Sequence, residues 1–281
     1  MICSIQKAMN ILAILSNEKN TPVPLIEIAA RTGYPKPTCS HILETLCHDG
    51  YVKRISHSKG YVLGPSLYHL TRHGRYEAEF VSLCRPVMRW MEKKSHATAV
   101  LSVIHNNQKF IIDYADNEQN LFWEHSTIRT DDIYRTATGR AILAYMDREQ
   151  VKAIWEKYGK PPAGHWDEIL SYESLMNALK DIQQQEIVVS GAMAKEGEQN
   201  AIGYAYPLFR RTTCIGAVGI AWKSLHSGQT IDPKTEKQLC DTLRKGAKEI
   251  MRRLSYEEKS ITKFDSMPPS PTKKRVNQAD L

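Results

Sequence analysis

Apolar residues recur three or four apart along residues 4–17, where Ala8, Ile11, Leu12, Ile14 and Leu15 make one stripe. That spacing predicts a helix with a single buried face. Asn20-Thr21-Pro22 interrupts it, and Pro24 suits the opening of a second helix. From Leu25 to Leu63 the pattern predicts helix, tight turn, helix and a two-stranded ribbon. Leu25, Ile28 and Ala29 keep helical spacing until Gly33, a C-terminal glycine. The next helix begins near Pro35, which suits a first turn, and buries Cys39, Ile42, Leu43 and Leu46. Asp49-Gly50 stops it. Tyr51, Val52 and Ile55 then read as a strand, His57 to Gly60 as a turn, and Tyr61-Val62-Leu63 as the returning strand.

Residues 66–74 predict a connecting helix carrying Leu67 and Leu70, and the domain boundary falls there. Beyond it the pattern alternates between helix and strand. Helix is expected over 81–94, then a hairpin of strands 97–104 and 109–114, and a further strand around Leu121-Phe122-Trp123. Helices follow over 136–147, 149–158 and 172–186. The strands 187–191, 201–209 and 214–222 come next, the last two joined by Arg210 to Thr213. An amphipathic helix over 235–254 closes the pattern, and the polar, proline-rich remainder is expected to be disordered. An antiparallel sheet with helices before, between and after its strands is an α+β arrangement.

A chain of 281 residues allows roughly two domains of about 100–200 residues. The net charge of +7 is uneven. Residues 1–75 hold nine Lys or Arg against four Asp or Glu, an excess of five in the segment with two helices and a ribbon. Such a unit sets its second helix in a DNA major groove while the ribbon touches flanking backbone, and the basic excess favours a polyanionic partner. A run of Lys273-Lys274-Arg275 in the tail adds little beyond solvation.

No run of about 18 apolar residues is present, so no membrane span is expected. The first twenty residues lack the basic region and cleavage site of an export signal, which points to a cytosolic protein. Six scattered cysteines without CxxC spacing read as reduced, mostly buried thiols rather than metal ligands, and no cofactor is implied. His96, Asp113, Glu198 and Cys214 are not spaced as a catalytic set, so the chain is not read as an enzyme.

Several short segments together resemble the IclR family of bacterial transcriptional regulators over about residues 4–253. Ser4-Ile5-Gln6-Lys7-Ala8 resembles its opening. Thr38 with Ile42-Leu43-Glu44-Thr45-Leu46 resembles its recognition helix, and Gly50-Tyr51-Val52 and Gly60 to Gly64 resemble the ends of its wing. Thr136-Ala137-Thr138-Gly139-Arg140-Ala141 and Ala205-Tyr206-Pro207-Leu208 resemble segments of its effector domain. The resemblance implies a winged helix-turn-helix over 1–65, a linker helix over 66–79, and a GAF-like effector domain with a central antiparallel sheet over 80–254. Residues 255–281 are left as a disordered tail. It also implies homodimers, often paired into tetramers, that bind double-stranded operator DNA and respond to small, usually carboxylated metabolites.

Carried over by position, Lys36, Pro37, Thr38, Ser40 and His41 fall on the recognition helix, and Lys53, Arg54 and Lys59 on the wing. Hydroxyls and lysines bond phosphates, while Lys or His reads purine acceptors. Many relatives have arginine where His41 stands, and Pro37 replaces a small polar residue and removes one N–H. Both departures bear on the operator sequence more than on DNA binding. Thr138-Gly139-Arg140 opens a helix whose free N–H groups suit a carboxylate, the family's amides at Thr138 and Gly139 having that role; the alternative is a glycine needed for tight packing. Other pocket positions fall on Ile133, Met193, Gly203, Gly219 and Ala221. These are apolar or lack a side chain, which implies either a roomier pocket for an aromatic or bulky acid, or the loss of small-acid binding. Repression is the first reading, since occupancy alone blocks polymerase. An activator of the same family is the alternative, with an enzyme or a non-DNA-binding interaction module as the other classes.

Overall fold

The computed structural model describes residues 2–16, 18, 21–56, 59–73, 78–116, 132–192, 201–223 and 231–265. The N-terminal unit is α1 (Cys3–Ser16), α2 (Leu25–Thr32), α3 (Lys36–His48), β1 (Val52–Ser56) and β2 (Gly60–Leu63). Its core gathers Ile11 and Leu15 of α1, Ile28 of α2, and Cys39, Leu43 and Leu46 of α3, with Val52 and Tyr61 of the ribbon. Gly33 ends α2 in the left-handed conformation, φ 70°, and its N–H returns to the Ala29 carbonyl. Pro35 precedes α3 and Pro37 lies in its first turn, where no intrahelical N–H is lost. Val23 pairs with Tyr61 through two 2.9 Å hydrogen bonds, which tie the ribbon to the start of α2. At Gly60, φ 100°, any Cβ would stand 2.2 Å from the Val23 carbonyl oxygen, so this close approach needs glycine.

Helix α4 (Pro65–His73) leads to α5 (Ala78–Ser95), β3 (Thr98–His105) and β4 (Gln108–Ala115). Next come α6 (Asp132–Arg135), α7 (Ala137–Leu143), α8 (Arg148–Tyr158) and α9 (Tyr172–Gln184). Strands β5 (Val188–Ala192), β6 (Ala201–Arg210) and β7 (Thr213–Lys223) precede α10 (Pro233–Asp265). The five later strands form one antiparallel sheet in the order β4-β3-β7-β6-β5. Successive strand residues face opposite sides, so each face buries its own helices. Leu101, Tyr204, Val218 and Ile220 pack against Met88 and Met91 of α5 and Leu243 and Ile250 of α10. Ala205, Ala217 and Val188 pack against Ala141 and Ile142 of α7, backed by Ile154, Leu175 and Leu179.

Two expectations change. The helix expected over 136–147 is shorter, α7 over Ala137–Leu143, and a separate turn of helix, α6, precedes it, parted from it because Thr136 is extended (φ −105°, ψ 145°) and caps α7. The closing helix continues past Leu254 to Asp265, so part of the segment expected to be disordered is helical. No Gly or Pro interrupts 255–265, which is rich in helix formers. The strand expected around Leu121-Phe122-Trp123, the turn at His57-Ser58 and the tail beyond Asp265 lie outside the described residues.

Candidate functional site

The buried stripe of α3 fixes what the helix exposes. With Cys39, Leu43 and Leu46 inward, Lys36, Pro37, His41, Glu44, Thr45 and His48 face out, and Thr38 and Ser40 are half-covered. The His41 side chain is 81% exposed. Its Nδ1 stands 3.6 Å from Glu44, too long for a hydrogen bond, and Ser40 Oγ reaches the other Glu44 oxygen at 3.5 Å. Glu44 therefore sits within the exposed face, able to accept from a cytosine N4 amine. Glu44 shares the polar face that the sequence predicts, but neither it nor Thr45 is among the contacts the sequence pointed to, although three and four residues after His41 is the spacing that shares a helix face.

On the ribbon, Lys53 and Arg54 are exposed on β1 and Lys59 is exposed in the turn. The Arg54 guanidinium lies 5.5 Å from the Tyr61 ring centroid. Not every cation of this unit is free for a polyanion. Arg31 is ion-paired with both Glu18 and Glu27, and these contacts raise its pKa further. Lys7 lies over the Tyr34 ring at 5.3 Å.

The second expected site falls on the sheet face beneath α7. Thr138 meets this face directly: its Oγ1 accepts from Ser102 Oγ at 3.1 Å. A Cβ at Gly219 would stand 2.7 Å from Thr138 Cγ2, and one at Gly203 would stand 3.2 Å from Ser190 Oγ and 3.4 Å from the Ala137 Cβ. The two glycines thus give α7 its seat on β6 and β7. Ala221 pairs with Gly203 on one side and with Thr98 on the other. Thr98, Ser102, Thr138 and Ser190 are all buried, and Thr98 Oγ1 donates to Asp116 at 2.9 Å. This face is therefore more polar than Ile133, Gly203, Gly219 and Ala221 alone suggested. The hydroxyls come from β3 and β5, and their signal was a Ser or Thr at alternate positions of otherwise apolar strands.

Two expected effector residues are otherwise engaged. The Gly139 N–H is donated to Thr136 Oγ1 at 3.2 Å, so it is not an open anion donor. A Cβ there would also stand 2.3 Å from the Ile133 carbonyl oxygen, which makes Gly139 a packing glycine. Ile133 is itself buried in α6 against α7. Among the described residues, the Ala137 and Thr138 amides remain without a protein acceptor. Arg140 lies about 200° round the helix from Thr138 and turns away from the sheet. Its Nε donates to the Tyr134 carbonyl at 2.8 Å, its Nη2 to the His165 carbonyl, and it lies 4.3 Å from the Trp166 ring centroid. Met193 lies outside the described residues.

Cys214 bears on catalysis. Its Sγ donates to the Gly216 carbonyl at 3.4 Å, and burial pushes the thiol up to about 11, so it is not a thiolate near neutral pH. Asp113 is held by Arg85, Nε to Oδ2 at 3.0 Å. Among the described residues, no helix is long and apolar enough to cross a membrane.

A helix-turn-helix with a two-stranded wing, carried ahead of a separate α+β sheet domain, defines a DNA-binding transcriptional regulator of two parts. Residues 4–56 match the IclR helix-turn-helix domain, and residues 76–252 match the bacterial transcriptional regulator IclR C-terminal domain. The chain belongs to the IclR family of transcriptional regulators. It is similar to the HTH-type transcriptional regulator KdgR of Escherichia coli strain K12, 24% identical over 92% of this chain and 94% of that one. It is also similar to the acetate operon repressor of Salmonella typhimurium, 22% identical over 50% of this chain and 53% of that one. The fold matches an IclR homolog complexed with 4-hydroxybenzoate from Microbacterium hydrocarbonoxydans, with a TM-score of 0.65, 16% identity, and coverage of 90% and 99%.

Proposed function

We propose that this regulator is a repressor that holds operator DNA as a homodimer and changes its grip when a small carboxylate, with room for an aromatic ring, binds the effector domain. The observation that carries the reading is the exposed face of α3, Lys36, His41 and Glu44, beside the exposed Lys53 and Lys59 of the wing. Lys36, Thr38, Ser40 and His41 contact bases and phosphates, Pro37 shapes the first turn, and Lys53, Arg54 and Lys59 neutralise flanking phosphates. The division at 1–65, 66–79 and 80–254 follows from this reading.

The dimer is supported by apolar side chains left uncovered just before and on α1, Ile2, Ile5 and Met9, and on α4, Tyr68 and Leu70. Side chains three or four apart on α1 make one stripe suited to a second copy. The effector reading rests on Thr138, Gly203, Gly219 and Ala221 with the hydroxyls of Ser102 and Ser190, and on the Ala137 and Thr138 amides. A relative of the same fold was solved with 4-hydroxybenzoate, which makes aromatic acids the first class to try. The test is a gel shift with a duplex selected from genomic fragments, with and without 4-hydroxybenzoate, a sugar acid and a keto acid. Release or tightening by one acid class is expected. Binding that no acid alters, with no thermal shift, would overturn the effector part.

A further inference from the structure

On the side of α7 away from the sheet lies a group of polar atoms that the regulator's DNA and sheet-face sites do not use. The Arg140 guanidinium is half-buried there, and among the described residues no carboxylate stands within ion-pair distance of it, the exposed Glu168 acting on it only through space. Its acceptors are two carbonyls, those of Tyr134 and His165, and Nη1 has none. Burial lowers its pKa to about 10, which still leaves it charged at neutral pH. In the same layer Tyr134 OH, Tyr158 OH and His165 Nδ1 are buried without any hydrogen-bond partner. Tyr134 and Tyr158 sense each other electrostatically, and Tyr134 is wholly enclosed.

Leaving one such group unpaired costs about 1–3 kcal/mol, and buried polar groups are seldom left so. Every one of these groups donates or has a donor form: five N–H on arginine, one O–H on each phenol, one N–H on the imidazole tautomer. The group therefore has donors in excess, a positive charge without an ion pair, and aromatic walls from Trp166 and the tyrosines. Water would satisfy the hydroxyls but would leave the cation with no negative group in contact, only the exposed Glu168 at a distance.

We propose that Arg140, Tyr134, Tyr158 and His165 form a second ligand site that holds one small anion, a carboxylate or an inorganic oxyanion, behind α7. The site is separate from the sheet face, because Thr138, which meets Ser102 and the Gly219 position there, lies about 200° round the helix from Arg140. An anion there braces the helix whose Thr138 rests on Gly219, so its occupancy bears on the sheet-face cleft through α7. The inference does not depend on which molecule, if any, binds that cleft.

The test is a thermal-unfolding titration of the full-length chain with sodium acetate, sodium benzoate and sodium phosphate, each against sodium chloride at equal ionic strength. The variants are Tyr158→Phe on the helical side and Thr138→Val on the sheet side. Wild type and Thr138→Val are expected to show the same saturable rise in Tm. Tyr158→Phe, which only deletes an unpaired hydroxyl, is expected to fold at least as stably without anion and to need about tenfold more anion to reach half-saturation, the loss of one charge-assisted hydrogen bond. Saturation by acetate or benzoate assigns the carboxylate source, and saturation by phosphate alone assigns the inorganic one. No saturable rise with any of the three, an unchanged midpoint in Tyr158→Phe, or a rise abolished by Thr138→Val would each overturn the proposal.

Discussion

At His41 a neutral imidazole would offer a guanine one donor where an arginine would offer two. Standing exposed and loosely beside Glu44, it is free to choose its base. His41→Ala should therefore change which duplexes are preferred, with little effect on binding to random sequence. Lys59→Ala should weaken all duplexes alike and reduce the slope of log affinity against log salt by about one unit. Parallel salt titrations on selected and random duplexes separate the two. Cys214 gives a chemical prediction. A thiol raised to about 11 is only a small fraction thiolate at pH 8. Alkylation of Cys214 should be slow there, rise about tenfold per pH unit, and lag far behind the exposed Cys3, as peptide mapping would show. Fast labelling of Cys214 at pH 8 would restore the catalytic-thiol reading.

Among elements, α7 has little latitude. Its seat depends on Gly219, where an added methyl meets Thr138 Cγ2 at 2.7 Å and the Tyr204 carbonyl oxygen at 2.9 Å. Gly219→Ala should cost about 1–3 kcal/mol, the usual penalty of overpacking, measurable as a lower midpoint in urea. Gly139→Ala should cost at least as much, since its clash is with backbone, the Ile133 carbonyl. The two helices and ribbon of the N-terminal unit were legible in the sequence because their stripes are local and end at Gly33 and Asp49-Gly50. The turn of helix before Thr136 was not. Only four residues long, α6 carries no stripe of its own, and Thr136 parts it from α7 by capping a helix pressed between the sheet and α9. The same holds for the buried hydroxyls. Ser102 and Thr138 are 36 residues apart in the chain, and only the register of β3 and β7 brings them together. Arg140 was assigned with its neighbours along the chain, whereas its direction is set by the Tyr134 and His165 carbonyls.

For the whole molecule, the N-terminal core and the two layers of the sheet domain bury separate sets of side chains. In the proposed reading, a message from effector domain to DNA then travels through the geometry of the proposed dimer or along α4 and α5. Ile5 and Met9 on α1 are 53% and 55% exposed, a stripe that a second copy would cover. Met9→Lys should leave the fold intact, shift sedimentation from dimer toward monomer, and weaken operator binding about as much as losing one half-site. A monomeric wild type at micromolar concentration would remove the dimer from the reading. The most direct measurement of the central claim, that α3 reads base edges, is the affinity of the purified chain for its own selected duplex against a shuffled duplex of equal length and composition. At about 0.15 M salt the selected duplex should bind about a thousandfold more tightly or better. Equal, weak binding to both would contradict it.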